Sequence, residues 1–125
     1  MTPSERPAYL DGSHDFRRGD VVLVPFPFSE RLAEKQRPGV VLSSAEYHAG
    51  TGDLIIGQIT SKVDGFARPG DFRIERWRQA GLPLPSLFRF RVATLHHSRI
   101  RKRLGALDPH DLATLKKVAQ FSLGL

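Results

Sequence analysis

Cysteine is absent from the 125-residue chain, which excludes disulfides and thiolate metal sites and is compatible with a reducing compartment. No apolar run approaches the ~20 residues needed to cross a bilayer. The first residues, MTPSERPAYLDGSHDF, lack the apolar stretch of a signal peptide. The expected location is therefore the cytoplasm, with no membrane association. Glycine-rich phosphate loops, an HExxH motif and paired metal-ligand carboxylates are also missing, so nothing in the sequence asks for a metal or a cofactor. Acidic residues are in the minority, 13 against 19 Lys and Arg, for a net charge of +6.

That positive charge is concentrated. From Arg68 to Arg103, ten basic residues stand against Asp71 and Glu75 alone, so this stretch carries +8 and the remainder −2. Nine of the ten are arginine, whose planar guanidinium forks two hydrogen bonds onto a single phosphate. The pattern favours a polyanionic partner, above all nucleic acid, over a merely solvated basic face.

Residues 1–16 mix prolines, Gly12, serines and charges of both signs, and read as a flexible tail. Residues 17–125 have the length of one domain. RRGDVVLVPFPFS predicts a strand through Val21–Val24, with Pro25 and Pro27 marking an edge or a strand leaving the sheet. SERLAEKQR reads as a long loop, PGVVLSS as a second strand and DLIIGQITSK as a third. Gly57 inside that third strand predicts a bulge or a close backbone approach. DFRIERW is a fourth strand and AGLPLPS a proline-rich connection. LFRFRVATLH is a fifth, with Phe88, Phe90 and Val92 on one face and Arg89 and Arg91 on the other. SRIRKRLG predicts a short helical turn stopped by Gly105. The last segment is the clearest helix: Asp108 suits the N-cap, Pro109 the first turn, and Leu112, Leu115, Val118 and Ala119 follow a helical rhythm, with Gly124 near the end. Five short strands and one terminal helix predict a mainly β fold, a small, strongly curved antiparallel barrel closed by a C-terminal helix.

Histidine is the usual first candidate for RNA cleavage, but His14, His48, His96, His97 and His110 show no pairing in the sequence. His96 and His97, as strand neighbours, are expected on opposite faces. No Ser-His-Asp triad can be argued. Two places remain. In QRPGVVLS, Arg37 ends the charged loop and Pro38 fixes the entry to a strand. In QITSK, Thr60 and Ser61 end the third strand beside Lys62. An arginine facing a hydroxyl at neighbouring strand ends can hold a scissile phosphate, although each residue also has an ordinary structural use, as loop anchor and as β-former.

RRGDVVLVPFPFS, QRPGVVLS, QITSK, GLPLPS with ATL, and RLGALDPHDLATLKKV, in this order, resemble the MazF/PemK toxins over residues 17–125. The resemblance implies an SH3-like β-barrel with a C-terminal helix, usually a two-fold dimer, that cuts single-stranded RNA without metal and leaves a 2′,3′-cyclic phosphate and a 5′-hydroxyl. It also implies a cognate antitoxin protein as partner. The family's catalytic arginine precedes the proline of the second strand and matches Arg37; its catalytic threonine follows the isoleucine of the third strand and matches Thr60. Ser61, Lys62, Arg89 and Arg91 are the candidate RNA-binding residues. Some members carry an acidic residue in the last strand, where this chain has Phe90, so Glu30 or a phosphate oxygen is left to act as base. Non-catalytic toxins of the same barrel, such as gyrase inhibitors, and plain RNA-binding barrels are the alternatives.

Overall fold

The computed structural model describes residues 15–25, 35–63 and 67–125. Among these, six strands form one antiparallel sheet: β1 (Asp20–Pro25), β2 (Gln36–Val41), β3 (Asp53–Thr60), β4 (Phe72–Ile74), β5 (Ser86–His96) and β6 (Lys102–Ala106), in the spatial order β4-β5-β3-β2-β1-β6. A short helix α1 (Ala45–Thr51) joins β2 to β3, and α2 (Pro109–Leu123) follows β6. The sheet curls into a half-barrel with the C-terminal helix against it.

Two bulges help to curl it. Between Gly57 and Gln58 the register against β5 jumps, leaving Phe90 and Arg91 with no residue opposite. Between Val21 and Val22 it jumps against β6, leaving Leu104 unopposed. Gly57 meets both expectations held for it. It adjoins the bulge, and a Cβ there would collide with the Phe88 ring.

Period-two alternation splits the apolar residues between two faces. Val21, Val40, Ile59, Ile74 and Phe88 form the main core with Leu107 and Leu115, and Leu112 and Val118 of α2 pack beside them. Val22, Val24, Val41, Leu54 and Ile56 form a second cluster on the other face, with Phe16, Leu95 and Ile100 against it. Phe16, expected in the tail, is thus packed; residues 1–14 of that tail lie outside the described residues.

Helix α2 begins as its sequence predicts. Asp108 caps it by accepting from Asp111 N–H at 2.9 Å, Pro109 occupies the first turn, and Gly124 ends it in the left-handed conformation at φ 71°. Asp111 has a further role. Its carboxylate oxygens accept the N–H groups of Glu75 at 3.1 Å and Arg76 at 2.9 Å, which draws the backbone off the sheet. β4 therefore stops at Ile74 rather than running through DFRIERW.

Other expectations need correction. SRIRKRLG is not a helical turn: a 3-10 turn spans His97–Arg99 and the rest becomes β6, because the free side of β1 offers it a ladder. Gly105 stops no helix. It lies against Gly81, and a Cβ on Gly81 would run into the Leu104 carbonyl, one on Gly105 into the Ala80 carbonyl. β1 is flanked on both sides, so of the two readings of Pro25 the strand leaving the sheet holds and the edge does not, while Pro27 lies outside the described residues. α1 was not anticipated, although Ser44 as N-cap and Gly52 as left-handed C-cap are its sequence signals.

Candidate active site

Arg37 lies inside β2, opposite Val24 of β1, rather than at a loop end. β2 pairs with β3 as far as Gly39 opposite Gln58. Continued two residues further, that register sets Arg37 level with Thr60, on the same face, because opposed residues of antiparallel strands project together. Thr60 is in turn opposite Leu87 of β5, and Leu87 is opposite Arg73 of β4. One row across the sheet therefore carries Val24, Arg37, Thr60, Leu87 and Arg73. The next row carries Val22, Gly39, Gln58 and Arg89.

Within these rows the side chains differ in availability. Arg37 is exposed. Thr60 is half-buried, and its Oγ1 accepts Lys62 N–H at 3.2 Å. That bond uses a lone pair and leaves the hydroxyl proton to donate. Ser61 and Lys62 are exposed immediately beyond it. Arg73 is exposed and donates to Val63 O at 3.2 Å. Among the described residues, no carboxylate forms an ion pair with Arg37, Lys62 or Arg73.

Arg89 is engaged. Its guanidinium binds Asp71 at 3.1 Å, the carboxylate being almost wholly enclosed. Burial alone would push the Asp71 carboxyl up, but hydrogen bonds from Arg89 and from Arg68 N–H outweigh it and hold the group below the ordinary carboxylate range. Arg89 thus serves the sheet first. Arg91 sits exposed in the bulge, where it also has a partner.

Phe90 packs edge-on against Phe88, ring centroids 6.3 Å apart, and lines an apolar groove beside α2 with Leu42, Ile55 and Val92. Phe88 belongs to the main core, on the face opposite the Arg37 row, so the position of Phe90 supplies nothing to Thr60. Glu30 lies outside the described residues.

The described histidines stay away from this row, and His14 lies outside the described residues. His96 is opposite Asp53, at the other end of β3 from Thr60. His96 and His97 do not diverge as expected: the strand ends between them, alternation breaks, and their rings lie 4.3 Å apart. His48 is fully buried. Its Nδ1 lies 3.1 Å from Phe16 O, which only accepts, so Nδ1 carries the proton and Nε2 accepts Ser43 O–H at 2.5 Å. Ser43 Oγ in turn accepts Ile55 N–H at 2.9 Å.

A small antiparallel half-barrel closed by a helix, with a basic and hydroxyl-bearing row on one face, is the frame these residues define. The family model for the PemK-like, MazF-like toxin of type II toxin–antitoxin systems matches residues 17–123, and the chain belongs to that family. Solved structures agree on the fold. A crystal structure of MazF from Deinococcus radiodurans is 24% identical, with a TM-score of 0.67 over 88% of this chain and 97% of that one. An endoribonuclease in complex with its cognate antitoxin, from a mycobacterial species, is 18% identical, with a TM-score of 0.69 over 88% and 96%. The Mycobacterium tuberculosis toxin MazF-mt6 is 16% identical, with a TM-score of 0.66 over 85% and 97%. No curated protein sequence matches the chain. Among the described residues no helix is long and apolar enough to cross a membrane.

Proposed function

We propose that this chain is the endoribonuclease toxin of a type II toxin–antitoxin pair, cutting single-stranded RNA at short sequences without a metal ion. The ribose 2′-oxygen attacks the adjacent phosphorus and its proton passes to a base. The bond from phosphorus to the 5′-oxygen breaks and the leaving oxygen takes up a proton, giving a 2′,3′-cyclic phosphate and a 5′-hydroxyl. What supports this reading is that the β2–β3 register, paired as far as Gly39 opposite Gln58, brings Arg37 and Thr60 to one level when continued by two residues. Attack builds negative charge on the phosphorane oxygens. A guanidinium fixed beside them stabilises that charge, and the free hydroxyl proton of Thr60 donates to one oxygen. Arg37 is too strong a cation to act as base; Glu30 or a phosphate oxygen takes that part.

Lys62 and Arg73 flank the centre as phosphate contacts. Two relatives support the partner: the mycobacterial endoribonuclease was solved with its cognate antitoxin and the Deinococcus MazF with MazE. A homodimer is the expected assembly. The apolar groove beside α2, which Leu123 and Leu125 line, together with the exposed Phe121 offers an apolar surface for it. The cytoplasm, where RNA is, is the expected location.

The test is incubation of the purified protein with single-stranded RNA in EDTA, followed by end-group analysis. Cleavage with cyclic phosphate ends is expected. Binding without cutting would favour a plain RNA-binding barrel, and neither would favour a non-catalytic toxin of the same fold.

A further inference from the structure

Asp71 and Arg89 form an ion pair whose two members differ in access: the Asp71 side chain is 1% exposed and that of Arg89 27%. Asp71 is fixed by its own turn. Its Oδ2 accepts Arg68 N–H at 2.9 Å, and its N–H donates to Arg68 O at 2.9 Å. The carboxylate takes Arg89 from the side, accepting from Nε at 3.3 Å and Nη2 at 3.1 Å. That engages one flank of a guanidinium that carries five N–H donors, and leaves the Nη1 end out of the pair. Arg89 is opposite Gln58, and Thr60 is opposite Leu87. Arg89 therefore stands two residues along β5 from the level of Thr60, on the same face, a span of about 7 Å and the reach of one nucleotide. Arg73, opposite Leu87 on β4, and Arg68 are exposed beside the pair, so cations outnumber the one carboxylate.

We infer that Asp71 is a positioning residue for RNA: it holds Arg89 edge-on, so that the Nη1 end of the guanidinium takes the backbone phosphate one nucleotide from the scissile one. This rests on the reading of the chain as an endoribonuclease. A free arginine gives up side-chain freedom when it binds, and the ion pair removes that cost beforehand. The pair serves the sheet through its buried carboxylate and the substrate through its exposed cation. Charge alone argues the opposite way. Asp71 repels a phosphate, so a neutral isostere would tighten binding unless position outweighs charge. The sign of the Asp71→Asn effect separates the two.

The experiment measures binding of a short RNA with a 2′-deoxyribose at the cut, carrying a neutral methylphosphonate linkage on either side of the scissile phosphate in turn. In wild type one of the two substitutions should weaken binding about tenfold, the loss of a charge-assisted hydrogen bond. Arg89→Gln should bind the parent RNA about tenfold less well, and the same methylphosphonate should then change nothing further, since both remove one contact. Asp71→Asn should also bind the parent RNA more weakly, despite its gain in positive charge, and should lose most of the methylphosphonate effect. Arg89→Lys keeps the ion pair, and with it the turn, but replaces the fork with a point charge, so it should behave like Arg89→Gln. Melting curves establish that each variant is folded. Tighter binding by folded Asp71→Asn overturns the inference, as does a methylphosphonate effect of equal size in wild type and Arg89→Lys. A wild type that neither binds nor cuts RNA removes the endoribonuclease reading as well; one that cuts RNA yet tolerates both methylphosphonates removes this inference alone.

Discussion

The two residues at the centre of the proposed mechanism ask for different chemistry, and their substitutions separate them. Arg37→Ala removes the cation and should lower the single-turnover cleavage rate by roughly 10²–10³. Exposure of Arg37 predicts that circular dichroism and melting stay as in wild type. Arg37→Lys keeps the charge without the planar fork and should recover little. Thr60→Val keeps the β-branched shape and deletes the hydroxyl. A lower rate with nearly unchanged stability is expected, since the bond it loses, from Lys62 N–H, lies at the surface. A folded Arg37→Ala that cuts at the wild-type rate would refute the assignment, as would normal cleavage of RNA bearing a 2′-deoxyribose at the cut.

At the scale of elements, the chain from Ile55 N–H through Ser43 and His48 to Phe16 O ties β3, the end of β2, α1 and the N-terminal segment together. Burial lowers the His48 pKa below 6.5, although the hydrogen bond to Phe16 and the charge of Asp20 oppose the shift. The unfolded chain therefore takes up a proton at His48 at a higher pH than the folded chain does. The stability this histidine contributes is complete above the ordinary histidine pKa and is lost as pH falls below it, toward the folded value. Urea midpoints should fall between about pH 7 and about pH 5. His48→Gln, less stable at neutral pH, should lose that part of the slope. A wild-type midpoint equal at both pH values would count against the buried neutral imidazole.

For the whole molecule, the basic row predicts how binding responds to salt. Each RNA phosphate neutralised contributes about −0.7 to the slope of log K against log salt. Lys62→Gln and Arg73→Gln should each reduce the slope by about that amount, measured with a 2′-deoxy analogue that binds but is not cut. Binding indifferent to salt would refute the phosphate track. Assembly follows from the opposite face. Phe121, Leu123 and Leu125 are 68%, 60% and 88% exposed on the single chain, an apolar surface of the kind that a two-fold interface covers. Light scattering should give the dimer mass for wild type and a lower mass for Phe121→Asp. A monomer for wild type at every working concentration would refute the dimer.

Legible in the residues alone are local features: the strand cores VVLV, GVV and LIIG, the helix with Asp108 and Pro109 at its start and Gly124 at its end, and the concentration of arginine between 68 and 103. These follow from side-chain period, capping chemistry and charge, which act over a few residues. Arg37 and Thr60 were legible as candidates from their motifs, but each alone was an ordinary loop anchor or β-former. Tertiary structure decided what depends on a neighbour distant in sequence. RIRKRL became β6 because β1 had an unpaired side. β4 was cut short by the Asp111 carboxylate of α2, and Arg89 was held by Asp71. Whether Arg37 and Thr60 share a face and a level is a matter of register. Register is set by the pairing of Gly39 with Gln58 across β2 and β3, neighbouring strands that α1 separates in sequence.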